Sequence, residues 1–168
     1  MADHASNERK AAASAMDFVV RYPDCLELVA FAAKVAQQEL AHFRQVFKRM
    51  RRSGFSLAPD VQSRGMNHLI SFVRTQREER RMDRILLAAL MERRGMERFS
   101  LLHREANLPD GWSNFYGELA EAERDHWTGY VAQAILLADL DQIRIRWAAW
   151  VEHEAKAPFD PTRGQLFP

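Results

Sequence analysis

The sequence predicts an all-α chain: a bundle of four long helices, a short helix between bundle helices 2 and 3, and an extra C-terminal helix. Three observations carry this prediction. Long segments rich in Ala, Leu, Glu and Arg place apolar residues at helical spacing, with only 7 Gly and 6 Pro in 168 residues to interrupt them. Breaks fall at Arg21-Tyr22-Pro23-Asp24 and at Asn107-Leu108-Pro109-Asp110-Gly111. A pattern of ligand-type residues also occurs twice, Glu39-Leu40-Ala41-His42 and Glu123-Arg124-Asp125-His126. Each copy follows a lone glutamate, Glu8 or Glu92, at the same interval of 31 residues.

The first helix is expected from Asp3 or Asn7 to Tyr22, where Pro23 stops it, with Glu8, Ala11 or Ala12, Ala15 and Val19 as its inner stripe. The second runs from about Asp24 to Ser53 and ends at Gly54; Ala32, Val35, Glu39, His42 and Val46 recur at the spacing of one face. A connection from Phe55 to Asp60 leads to a short helix reaching about Arg74, weakened by Gly65. The third long helix spans Arg77 to Ala106, with Leu86, Ala89, Glu92, Met96, Phe99 and His103 in phase. The fourth starts at Trp112 or Ser113 and passes Tyr130, with Tyr116, Leu119, Glu123, His126 and Tyr130 on one face. A fifth stretch, Asp139 to about Lys156, uses Trp147 and Trp150 for packing. Residues 1–157 thus read as one bundle domain, and residues 158–168, which contain proline, as an extended tail.

Side chains at i and i+3 of a helix project from one face, about one turn apart. Each Glu-x-x-His can therefore offer a carboxylate oxygen and an imidazole nitrogen to one metal ion. With the lone glutamates added, the set is that of the di-iron carboxylate bundles: a Glu from each of two helices and Glu-x-x-His from each of the other two. Four inward carboxylates need compensation, because each unpaired buried charge costs several kcal/mol. Two Fe(II) ions against four carboxylates and two neutral imidazoles give a neutral centre. Glu97, five residues beyond Glu92, is a rival for its place, but the equal spacing favours Glu92. Glu97 and Asp125 are candidates for an outer layer of hydrogen bonds around the ligands. His4, His68, His103 and His153 lack a partner at ligand spacing and read as structural.

The formal net charge of +1 implies no whole-molecule field toward a nucleic acid, so any such partner needs a local patch. One cysteine, Cys25, excludes a disulfide framework and a four-cysteine iron site, and points to a reducing, cytoplasmic setting. No apolar run approaches the roughly 20 residues needed to cross a bilayer, so no membrane partner is expected. Cations cluster at Lys48, Arg49, Arg51 and Arg52 and again from Arg74 to Arg98. Of these, Arg49, Arg51, Arg52, Arg77, Arg80 and Arg81 are the candidates for holding an RNA phosphate backbone.

The words around the ligands are also distinctive. Asp3-His4-Ala5, Asn7-Glu8-Arg9-Lys10-Ala11-Ala12, Arg21-Tyr22-Pro23, Gln38-Glu39-Leu40-Ala41-His42-Phe43, Asp83 through Leu90, Met91-Glu92-Arg93-Arg94 and Glu97-Arg98-Phe99 resemble the tRNA 2-methylthio-isopentenyladenosine hydroxylase family, often called MiaE. The resemblance runs from about residue 3 to about 135. It implies a ferritin-like fold and a non-haem centre of two iron ions held by Glu8, Glu39, His42, Glu92, Glu123 and His126. It also implies O2-dependent hydroxylation of the isopentenyl side chain on the modified adenosine beside the tRNA anticodon. Nothing in the sequence binds flavin or NAD, so two electrons must come from an external donor of the reductase or ferredoxin type. Two alternatives keep the same bundle: iron oxidation and storage in the manner of bacterioferritin, and di-iron hydroxylation of another substrate.

Overall fold

The computed structural model describes residues 2–57, 59, 63–105 and 107–158. Among them are six helices and no strand: α1 (Ala2–Arg21), α2 (Leu26–Arg52), α3 (Arg64–Ser71), α4 (Arg77–His103), α5 (Trp112–Ile135) and α6 (Leu140–Glu154). The long helices, the short α3 and the extra α6 occur in the order the periodicity gives. The expected tail over 158–168, apart from Pro158, lies outside the described residues, as do Asp60 and Ala106. None of the described helices is long and apolar enough to cross a membrane.

The chain divides into two compact units, one over the described residues up to Met66 and the other Asn67–Pro158. The first is the hairpin of α1 and α2. Pro23 cannot continue a helix, and the chain reverses through hydrogen bonds from Tyr22 N to Phe18 O and from Cys25 N to Tyr22 O, both 3.0 Å. Ala5, Ala12, Ala15 and Phe18 of α1 and Tyr22 just after it are buried, as are Ala32, Val35, Ala36, Val46 and Met50 of α2. The inner stripe of α1 ends on Phe18 where Val19 was expected, because the true period of 3.6 drifts from a strict four-residue step. Gly54, at φ +76°, ends α2 in the left-handed region that favours glycine.

In the second unit, α4 and α5 form a hairpin and α6 packs on both. Burial of Leu86, Leu90, Phe99, Phe115 and Tyr130 contributes about 1.5–3 kcal/mol for each side chain. Asp139 caps α6 by accepting a 2.9 Å hydrogen bond from Gln142 N. The helix after residue 60 stops at Ser71, short of the expected Arg74, since the Arg74 backbone N–H donates to Asp83 Oδ2 at 2.9 Å. Asp83 is fully buried and gathers the guanidinium groups of Arg74 and Arg146 at 2.7–2.9 Å. Burial pushes its carboxyl up, but Arg146 and Arg74 outweigh this and hold it below the ordinary range.

Candidate metal centre

Glu8 comes from α1, and Glu39 and His42 from α2. His42 Nδ1 lies 3.5 Å from Glu8 Oε2 and 3.8 Å from Glu39 Oε2. In the second unit Glu92 comes from α4, and Glu123 and His126 from α5. There His126 Nδ1 lies 3.8 Å from Glu92 Oε2 and 3.9 Å from Glu123 Oε2. Each unit therefore presents one triad of two carboxylates and one imidazole. The match follows from the repeated spacing, since an equal loop-out returns each Glu-x-x-His to its own lone glutamate.

Both triads are sequestered from solvent. Glu8, Glu39, Glu92, Glu123 and His126 are buried, and the His42 side chain is 13% exposed. The potential ligand atoms of Glu8, Glu39 and His42 lie within 4.8 Å of one another, as do those of Glu92, Glu123 and His126. Glu8 Oε2 is buried and takes no hydrogen bond of good geometry among the described residues. A buried carboxylate oxygen left this way is costly unless a cation completes it. Oxygen and imidazole donors of this kind suit a divalent transition metal, so the residues present fit such an ion.

Charge within the first triad points the same way. Burial pushes the Glu8 carboxyl up, but the His4 contact and then the His42 ring outweigh it and hold the carboxyl at about 2. Burial pushes the His42 ring down, while the Glu39 and Glu8 carboxylates outweigh that and lift it to about 9. A metal ion that binds this triad takes the place of the proton on His42.

The other candidates fall elsewhere. Glu97 Oε1 pairs with Arg93 Nε at 2.9 Å and its side chain is 42% exposed. Asp125 is exposed on α5. Of the candidate RNA-binding arginines, Arg51 and Arg52 are exposed and line a groove along α2 with Arg44, Phe47 and Lys48. Arg49 is half-buried and its guanidinium reaches Gln45 O at 3.5 Å. Arg77 and Arg80 are exposed at the start of α4, and Arg81 pairs with Glu78.

Two residues at the site carry no motif. His4 is buried with Nε2 2.8 Å from Glu8 Oε1, and its i, i+4 relation to Glu8 was the available signal. Gly95 faces Glu123: a Cβ there would stand 3.0 Å from the carboxyl carbon and 3.2 and 3.3 Å from its oxygens. That contact lies between two helices, and no sequence spacing reveals it.

Residues 1–163 match the family described as tRNA-(MS[2]IO[6]A)-hydroxylase (MiaE). A tRNA 2-(methylsulfanyl)-N(6)-isopentenyladenosine(37) hydroxylase from Pseudomonas putida is 32% identical over 132 residues, which cover 79% of this chain. The chain spans about 63% of the length of that curated relative. Among solved structures, Protein 43 with aldehyde deformylating oxygenase activity from Synechococcus is similar, with a TM-score of 0.89 and 29% identity. That match covers 95% of this chain and 79% of the other. The fold class is all-α and ferritin-like, with the additional short and C-terminal helices seen here.

Proposed function

Because the chain belongs to the tRNA-(MS[2]IO[6]A)-hydroxylase (MiaE) family, we propose that it is an O2-dependent di-iron monooxygenase acting on tRNA in the cytoplasm. It hydroxylates the isopentenyl side chain of the modified adenosine next to the anticodon. The observation that carries this reading is the pair of matching buried triads within a chain that aligns with the family almost throughout.

In this reading Glu8, Glu39, His42, Glu92, Glu123 and His126 hold two iron ions. Bound iron supplies the activation of O2 and the insertion of one oxygen atom into a C–H bond. The balance is one C–H, one O2, two electrons and two protons giving one C–OH and one water, and the electrons come from an external reductase or ferredoxin. The chain's own share is ligation, orientation and exclusion of water. His42 Nδ1 gives up its proton to become a ligand, and the carboxylates offset the metal charge. Leu86 and Ala89 on α4, with Val35 and Ala36 on α2, are buried apolar neighbours along the ligand-bearing helices and keep water from them.

The tRNA contact falls to the exposed face of α2. Arg44, Lys48, Arg51 and Arg52 follow one another at helical spacing, and none forms an ion pair among the described residues. Cations nearer α4 are partly neutralised, with Arg74 bound to Asp83 and Glu79, Arg93 to Glu97, and Arg94 to Glu154. An anticodon loop presents phosphates to such a stripe, and its unpaired base is free to leave the stack.

The test is nucleoside analysis of tRNA from cells with and without the protein, beside metal analysis of the purified chain. The hydroxylated nucleoside should vanish on deletion and return with the wild-type gene, and the protein should hold two irons per chain. An unchanged nucleoside profile in the deletion strain sinks the assignment of substrate. Hundreds of irons per assembly would turn the reading toward storage.

A further inference from the structure

The two triads match in composition but differ in what stands behind the lone glutamate. Four residues before Glu8, one turn back along α1, is His4; four residues before Glu92, on α4, is Ala88. His4 is 8% exposed and its Nε2 lies 2.8 Å from Glu8 Oε1, an ion-pair contact whose angles fall short of good hydrogen-bond geometry. The other oxygen, Oε2, faces His42 Nδ1 at 3.5 Å. One oxygen of Glu8 is thus engaged from behind and the other is presented forward. Ala88 has no donor with which to do the same for Glu92.

We propose that His4 is a positioning residue: it holds Oε1 of Glu8, leaves Oε2 alone to meet the metal, and so makes the two metal positions unequal in affinity. The inference rests on the reading of the triads as metal ligands. A glutamate has three rotatable bonds and loses rotamer freedom when it ligates, and a partner already in place removes part of that cost. A carboxylate with one oxygen engaged is also biased against chelating through both. Hydrogen-bond partners behind metal ligands typically contribute about 10- to 100-fold in affinity.

The experiment is titration of the metal-free full-length chain with Co(II), followed by visible absorption and calorimetry, for wild type, His4→Ala, His4→Gln and His42→Ala. Wild type should bind two ions in two resolvable steps. His4→Ala should weaken one step by about 10- to 100-fold and leave the other unmoved. His4→Gln keeps an N–H donor and should recover most of the loss, with the cobalt spectrum of wild type. His42→Ala should remove the same step altogether.

If His42→Ala removes a step while His4→Ala leaves both intact, the role of His4 is overturned and the ligand assignment stands. If His42→Ala leaves both steps, the ligand reading itself falls. A His4→Gln variant as weak as His4→Ala, or a His4→Ala loss as complete as that of His42→Ala, would also overturn positioning, the latter by making His4 a ligand. Thermal melts of the metal-free variants accompany the titration; His4→Gln carries the test if His4→Ala does not fold.

Discussion

His42 sits between the carboxylates of Glu8 and Glu39, and its nitrogen keeps a proton up to about pH 9 when no metal competes for it. Its ordinary value is 6.5, so its contribution to the metal-free fold is complete below that pH and is lost as pH rises through about 9. Glu8 runs the other way: depressed from 4.5 to about 2, it contributes above pH 4.5 and loses that contribution as pH falls toward 2. The first triad is thus most stabilising, without metal, between those limits. Urea unfolding in chelator at 25 °C should show stability falling between pH 6.5 and 9, by about 3 kcal/mol. His42→Ala should flatten that slope, and a persistent slope would assign it to another group. The six ligand-type residues were legible because their chemistry and spacing repeat. Spacing alone favours Glu92 over Glu97, and Glu97 pairs with Arg93. Accordingly, Glu92→Ala should lose metal from the second triad, while Glu97→Ala should alter neither metal content nor stability by more than about 0.5 kcal/mol. His4 escaped because a lone histidine one turn from a glutamate is common and has no repeat to mark it.

Helix α4 carries an opposition that a single substitution can expose. Replacing glycine by alanine inside a helix ordinarily stabilises by about 1 kcal/mol. At Gly95 the added methyl would press on the Glu123 carboxylate at 3.0 Å. Gly95→Ala should therefore leave the metal-free melting temperature unchanged or raised while weakening one metal-binding step. A variant with undiminished affinity for both ions would mean that Glu123 moves aside at no cost. Long elements were legible because period and breakers agree at Pro23 and around Pro109. The end of α3 was not, since Asp83 captures Arg74 from nine residues away. Asp83→Asn should cost about 3 kcal/mol, the lower end for breaking a buried ion pair, because Arg74 remains 31% exposed. Urea unfolding at neutral pH measures it, and a loss under 1 kcal/mol would make the cluster a surface contact in energy.

Across the whole chain, a net charge of +1 conceals an uneven distribution: Arg44, Lys48, Arg51 and Arg52 of α2 form no ion pair among the described residues, while several cations near α4 are spent on acids of the chain itself. If phosphates occupy that stripe, replacing Arg44, Lys48, Arg51 and Arg52 together by Gln should weaken tRNA binding and flatten its salt dependence by up to about 3 in slope. Iron content should not change. An unaltered slope would put the RNA on another surface. Composition left the arginines undivided at this scale, because it cannot show which acid each one meets, least of all where the pair is distant in sequence, as in Arg94 with Glu154.

One such distant pairing closes the second unit. His68 and His153 stack with ring centroids 3.9 Å apart, and each Nε2 reaches the other residue's carbonyl, at 3.0 and 2.9 Å. Phe72 continues the stack on His153, and the Arg146 guanidinium lies 4.0 Å over Phe72. This clasp joins positions 85 residues apart, so forming it closes a long loop whose entropy opposes early assembly. In hydrogen exchange, the amides of α6 should open with those of α3 as one cooperative segment, at lower free energy than α4 and α5. Folding should run in the opposite order, with the local α4–α5 hairpin first and the histidine clasp sealing it last.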